Sequence, residues 1–128
     1  METLFKVAKA NKLIADVAEE LEGLWIANGK PETPEGPVTS VKGFVPSYIE
    51  DEELEGLSPE RQAEYADIYN KALDLLLEMT GIWNAGGNTW HTYHDQGSDA
   101  WQNYHDQAWE VVMDFVANQI WDRFCDSL

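Results

Sequence analysis

Residues 58–81 read SPERQAEYADIYNKALDLLLEMTG, and the spacing of apolar side chains in this stretch decides the fold. Ser58-Pro59 has the form of an N-cap followed by proline in the first helical turn, where a missing N–H costs nothing. Tyr65, Ile68, Tyr69, Ala72, Leu76 and Met79 then recur at three- and four-residue steps, which lines one side of a helix. Thr80-Gly81 supplies the stop. The spacing predicts a long α-helix whose apolar stripe needs partners of the same kind.

Two such partners are legible on either side. Toward the C-terminus, Ser98 stands as N-cap of a helix over about 99–126, with Trp101, Tyr104, Ala108, Val112 and Phe115 on its core side. After Ala117 the phase turns over, so that Trp121 and Phe124 leave the apolar face. That predicts a kink, or last turns packed on another body such as the first helix or a second subunit, giving a monomer or a homodimer through the C-terminal turns. Toward the N-terminus, residues 3–27 place Leu4, Val7, Ile14, Ala18, Leu21 and Trp25 at helical steps, and Asn28-Gly29 ends the run.

The remaining stretches are connections. Residues 29–57 hold Pro31, Pro34, Pro37 and Pro46, too many fixed φ angles and missing donors for a long helix. Within this proline-rich loop, VTSVKGFV at 38–45 is β-prone and predicts a minor β-hairpin. Ser47 and Glu50 have capping-box spacing ahead of Asp51, Glu52, Glu53 and Glu55, which predicts a short acidic helix. WNAGGNT at 83–89 reads as a glycine-rich connection. The expectation is a mainly α fold: one domain over 1–128, with three principal helices, the short acidic helix and the small β element.

Composition bounds what such a domain does. The chain has 128 residues and 44% hydrophobic content, enough for a real core without staples. Cys125 is the single cysteine, so no disulfide forms within the chain, and a reducing compartment, the cytoplasm, fits. The first twenty residues carry charges throughout, where a signal peptide needs an apolar run, and no stretch is apolar enough to span a membrane.

The net charge is −16, and it is unevenly placed. Residues 1–42 hold 7 acidic and 5 basic side chains, against 17 and 3 in residues 43–128. Such a field repels nucleic acid and anionic membranes and attracts basic protein surfaces. On the 58–81 helix, Glu60, Asp67, Asp74 and Glu78 fall within roughly 40° of one another opposite the apolar stripe, interrupted by Lys71. On the last helix Asp99, Asp106, Glu110 and Asp114 cluster within roughly 80°, with Asp95 joining if the helix starts early. The like-charge steps Asp106-Glu110-Asp114 each cost a helix about 0.2–0.5 kcal/mol. The first helix mixes signs and reads as an ordinary solvated face.

An internal repeat precedes the last helix. Trp90-His-Thr-Tyr-His-Asp-Gln96 returns eleven residues later as Trp101-Gln-Asn-Tyr-His-Asp-Gln107. Eleven residues is close to three helical turns, so two helical copies would present the same side chains on nearly one face, although Gly97-Ser98 interrupts them. The copies supply His91, His94, Asp95, His105 and Asp106, residue types that hold zinc or similar divalent ions. No HExxH motif or cysteine pair accompanies them.

In charge and size the chain resembles the small acidic inhibitors that phages and mobile elements use against host nucleases, DNA-mimic antirestriction and anti-CRISPR proteins among them. It is similar in the same respects to the acidic immunity proteins that neutralise nuclease toxins. The resemblance implies an inhibitor that occupies the basic nucleic-acid groove of a nuclease or CRISPR effector. Duplex DNA carries about one charge per 1.7 Å, denser than one helix offers, so the mimicry is partial. The expected contact set is Glu50, Asp51, Glu52, Glu53, Glu55, Glu60, Asp67, Asp74, Glu78, Asp95, Asp99, Asp106, Glu110 and Asp114, anchored by Tyr48, Trp90, Tyr93 and Trp101.

Two other readings fit the same residues: a metal-binding protein using the His/Asp repeat, or an acidic assembly factor or chaperone for a basic partner. Catalysis has no motif. Cys125 is near the C-terminus, Ser40, Ser47, Ser58 and Ser98 lie in turn or cap contexts, and Gly86-Gly87 lacks the lysine of a phosphate loop. No cofactor is implied.

Overall fold

The computed structural model describes residues 1–41, 55–84 and 90–126. The protein is a mainly α domain with a small antiparallel sheet at one side. The helices are α1 (Glu2–Lys9), α2 (Ala15–Ala27), α3 (Pro59–Met79), α4 (Asp99–Asn118) and α5 (Ile120–Asp126). The strands are β1 (Thr39–Val41), β2 (Ile82–Asn84) and β3 (Trp90–Thr92), and a single 3-10 turn spans His94–Gln96.

The helix ends follow the signals in the chain. Ser58 and Ser98 both cap, their hydroxyls accepting from the amides of Arg61 and Trp101 at 3.3 Å. Gly29, at φ 85°, terminates α2, and the indole of Trp25 donates to the Pro31 carbonyl at 2.8 Å, fastening the start of the proline-rich loop. Tyr65, Ala72, Leu76 and Met79 of α3 are buried, as are Trp101, Tyr104, Ala108, Val112 and Phe115 of α4.

The N-terminal stretch expected as one helix over 3–27 is two. The Asn11 side chain accepts from the Leu13 amide at 3.0 Å, a local bond that competes with the helical ladder and lets the chain turn. α1 then doubles back along α2, with the rings of Phe5 and Trp25 5.4 Å apart and Lys9 paired to Glu22. The break shifts the phase of α1, so that Phe5 and Ala8 are buried while Val7 is 52% exposed.

The last helix also divides. α4 ends at Asn118, and after Gln119 the chain restarts as α5. This break corresponds to the phase reversal after Ala117. It turns Trp121 and Phe124 onto Tyr65 of α3 with edge-on rings 5.2 and 4.9 Å away, so these apolar turns pack within the chain.

The sheet differs most from expectation. β1 pairs with β3, and β3 also pairs with β2 in the order β1-β3-β2; residues 42–45 of the expected hairpin lie outside the described residues. Residues 82–84 and 90–92, expected as connection and repeat, are therefore strands. The short acidic helix predicted after Ser47 lies outside the described residues, apart from Glu55, which is exposed.

Trp101 is locked by two backbone positions. Gly81, at φ 81°, follows α3, and a Cβ there would stand 2.4 Å from the far edge of the indole. Gly97 precedes the cap of α4, and a Cβ there would stand 2.1 Å from Cδ1. The indole occupies the only room these two glycines leave, and it anchors the start of α4 against the end of α3.

Candidate functional site

The two copies of the repeat adopt different structures. The first runs through β3 and the 3-10 turn, the second forms the opening turns of α4. They meet rather than align. His94 and His105, equivalent positions in the two copies, approach edge to face with ring centroids 4.8 Å apart. The two aspartates converge on the first of these rings: Asp95 Oδ1 is 2.8 Å from His94 Nδ1 and Asp106 Oδ1 is 2.9 Å from Nε2.

Each imidazole is oriented through its outer nitrogen. His94 Nδ1 is hydrogen-bonded to Asp95, and His105 Nε2 lies 3.1 Å from the Thr92 hydroxyl, which itself accepts from the His94 amide. The inner nitrogens, His94 Nε2 and His105 Nδ1, are buried and make no hydrogen bond. Asp106 is close to both: at 2.9 Å from His94 Nε2 it lacks the alignment a hydrogen bond requires, and at 3.8 Å from His105 Nδ1 it is too far for one. One donor atom from each of His94, His105 and Asp106 lies within 4.8 Å of the others.

Burial pushes the His105 pKa down to about 4, and the neighbouring His94 adds to the shift, so this ring is neutral near pH 7. Its plane lies parallel to Trp109, with centroids 6.5 Å apart.

No family model, curated protein or solved structure matches this chain.

His91 does not join the cluster. It sits on β3 opposite Trp83 and stacks on that indole at 5.8 Å, because neighbouring residues of a strand project to opposite faces and Thr92 takes the side toward His105. Of the candidate ligands, His91 is therefore directed away from His94 and His105. Asp95 touches only the outer nitrogen of His94.

The acidic residues expected to meet a partner are placed as follows. Glu60, Asp67, Asp74 and Glu78 of α3 are exposed, as are Glu55, Asp95, Asp99, Asp106, Glu110 and Asp114. Among the described residues, only Asp67 of this set is paired with a lysine or arginine, Lys71 at 2.8 Å. Asp114 accepts from the side chains of Asn118 and Gln119 just before the break into α5. Glu50, Asp51, Glu52, Glu53 and Tyr48 lie outside the described residues.

The aromatic anchors need revision. Trp101 is fully buried between Gly81 and Gly97 and is a core residue, not an exposed anchor. Trp90 and Tyr93 are half-buried, Trp90 against the core and Tyr93 against Trp83 at 4.5 Å.

Two further acids lie beside this surface. Asp16 and Glu20 of α2 line a groove with Glu110, Val111, Asp114, Gln119 and Arg123. Arg123 grips the Asp16 carboxylate with both terminal nitrogens, one at 2.8 Å and the other closer, and holds the Asp16 pKa below the usual carboxylate value. The α2 sequence shows mixed signs, and only the packing of α2 against α4 brings Asp16 and Glu20 to the acidic side.

Proposed function

We propose that this chain is an acidic protein inhibitor that occupies the basic nucleic-acid-binding groove of a nuclease or CRISPR effector by partial DNA mimicry. The observation that carries the reading is the exposure, unpaired with lysine or arginine among the described residues, of Glu60, Asp74 and Glu78 on α3 and of Asp99, Glu110 and Asp114 on α4. Evenly mixed charge would serve solubility at less cost, since like charges one turn apart destabilise a helix.

The density of charge favours a partial copy. Asp99 to Asp114 spans about 22 Å at 1.5 Å per residue, a length over which one DNA strand carries roughly six phosphates. Asp99, Asp106, Glu110 and Asp114 supply fewer negative charges over that length. In the groove beside α4, Asp16 is paired with Arg123, and Glu20 of α2 widens the field of Glu110 and Asp114 beyond a single helix. Half-buried Trp90 and Tyr93 are the aromatic contacts of this reading.

The test is capture of partners from the producing cell, followed by competition between this chain and DNA for each captured protein. A nucleic-acid-binding protein that loses DNA when this chain is added supports the reading. Reversing Glu60, Asp74, Glu78 and Glu110 to lysine should weaken that complex at least tenfold, about 1.4 kcal/mol, with helicity unchanged. Unchanged affinity after reversal, or a captured partner that keeps its DNA, refutes it.

A further inference from the structure

We infer that His94, His105 and Asp106 form a binding site for a divalent transition-metal ion of the zinc class, held by His94 Nε2, His105 Nδ1 and an Asp106 carboxylate oxygen, with a fourth position open to solvent.

The first support is an unsatisfied pair of nitrogens. His105 keeps only 9% of its side-chain surface exposed, and its Nδ1 has no hydrogen bond. His94 Nε2 is likewise buried and without one. Buried polar atoms are rarely left in this state, and each costs about 1–3 kcal/mol when it is. Both nitrogens are adjacent to the same carboxylate, so a single ion between them would satisfy all three groups.

The second support is the geometry at His94. The ring stands between two carboxylates, Asp95 at Nδ1 and Asp106 at Nε2. The Asp95 contact is an aligned hydrogen bond, whereas Nε2 lies 2.9 Å from the Asp106 oxygen without one. A metal ion bound to both atoms needs no such alignment.

The third support is the outer shell. Metal-binding histidines usually donate their other ring N–H to a carboxylate or another fixed acceptor, which sets the tautomer and aims the ring. His94 has Asp95 in that place and His105 has the Thr92 hydroxyl. Thr92 is itself positioned by the His94 amide, so the two ligands are tied together.

Distances allow closure. Zinc–nitrogen and zinc–oxygen bonds of about 2.0–2.2 Å at tetrahedral angles place ligand atoms about 3.3–3.5 Å apart. The separations of 2.9 and 3.8 Å from Asp106 bracket that value, and since the three ligand atoms lie within 4.8 Å of one another, binding draws the His94 and His105 rings together, with Asp106 exposed on α4. Two imidazoles and one carboxylate suit zinc and its neighbours and not magnesium or calcium, which take oxygen ligands.

The experiment titrates zinc into the full chain after chelator treatment, following heat by calorimetry, with cobalt as a spectroscopic stand-in for the coordination geometry. One zinc per chain is expected, with the visible bands of cobalt bound to nitrogen in a four-coordinate site. Asp106→Asn and His94→Gln should each weaken binding at least tenfold, and Asp95→Asn about tenfold through the orientation of His94. His91→Gln should bind as the unaltered chain does. Because Asp106 is exposed and His94 partly so, these variants keep the test valid even if the buried His105→Gln fails to fold. Absence of saturable zinc binding overturns the site. So does equal binding by the Asp106 and His94 variants, or displacement of zinc by equimolar magnesium, either of which marks general attraction to the acidic surface.

Discussion

The Trp101 clamp predicts that two glycine substitutions couple unequally to the indole. Gly81→Ala faces two penalties: a Cβ at 2.4 Å from Cζ2 and 3.0 Å from Cη2 of Trp101, and a backbone at φ 81° that L side chains resist. Overpacking costs about 1–3 kcal/mol and the left-handed conformation about 1–2 more, for a total of about 2–5 kcal/mol. Replacing Trp101 with leucine removes the far ring, so in that background Gly81→Ala should cost only the backbone part. The expected coupling is about 1–3 kcal/mol. Gly97→Ala meets the near atoms Cδ1, Cγ and Cβ at 2.1, 2.6 and 2.8 Å, and leucine keeps Cβ and Cγ. Its cost should therefore persist in the Trp101→Leu background, with little coupling. Urea denaturation followed by far-ultraviolet circular dichroism measures all five variants without relying on the mutated indole. Equal cost for Gly81→Ala in both backgrounds would refute the clamp.

Other outcomes follow from single contacts. Tyr104→Phe removes the hydroxyl that donates to the Met79 carbonyl at 2.5 Å and leaves that buried acceptor bare, so urea unfolding should show a loss of about 1–3 kcal/mol. Asp16 has its folded pKa depressed by Arg123, so its contribution is complete above the unfolded value near 3.8 and is lost as pH falls through the folded one. The Asp16 side chain is 66% exposed, which limits the effect to about 0.2–1 kcal/mol; Asp16→Asn should remove that much near neutral pH and flatten the acid limb of the stability curve. Salt should act with opposite signs on folding and on binding. Raising ionic strength from about 0.01 to 0.15 M shortens the Debye length from about 30 to 8 Å, which screens the self-repulsion of a −16 chain and raises its melting temperature, while weakening any complex with a basic partner. A melting temperature that falls with salt would show that local ion pairs outweigh the net charge.

The long-range pattern of this fold is legible in the chain because its apolar residues keep helical spacing over many turns. α3 and α4, their serine caps and the end of α2 at Gly29 all follow from that spacing and from cap chemistry. What escapes is short or conditional. The turn between α1 and α2 depends on one asparagine side chain competing for a backbone amide, and no proline or glycine marks it. β2 and β3 are three residues each, too short for alternation to register, and β1 pairs with a strand some fifty residues away. Trp101 looks like an anchor in sequence because a tryptophan among acids has two fates. Only the glycines at 81 and 97, distant in the chain and adjacent in space, select burial.

The repeat shows why the site was half visible. Identical words suggest identical structures, but Gly97-Ser98 stops the first copy before it can become helical and starts the second as a capped helix. The copies therefore face each other, and His94 meets His105 with Asp106 beside both. Asp106 belongs to the acidic face and to this cluster at once, and the two proposals ask different things of it. As one charge among several, its neutralisation should weaken a protein partner only slightly and equally with Glu110→Gln. As a ligand, its neutralisation should abolish most zinc affinity while Glu110→Gln leaves that affinity intact. Comparing these two single-charge changes in both assays therefore separates a surface that acts by its field from a cluster that acts by its geometry.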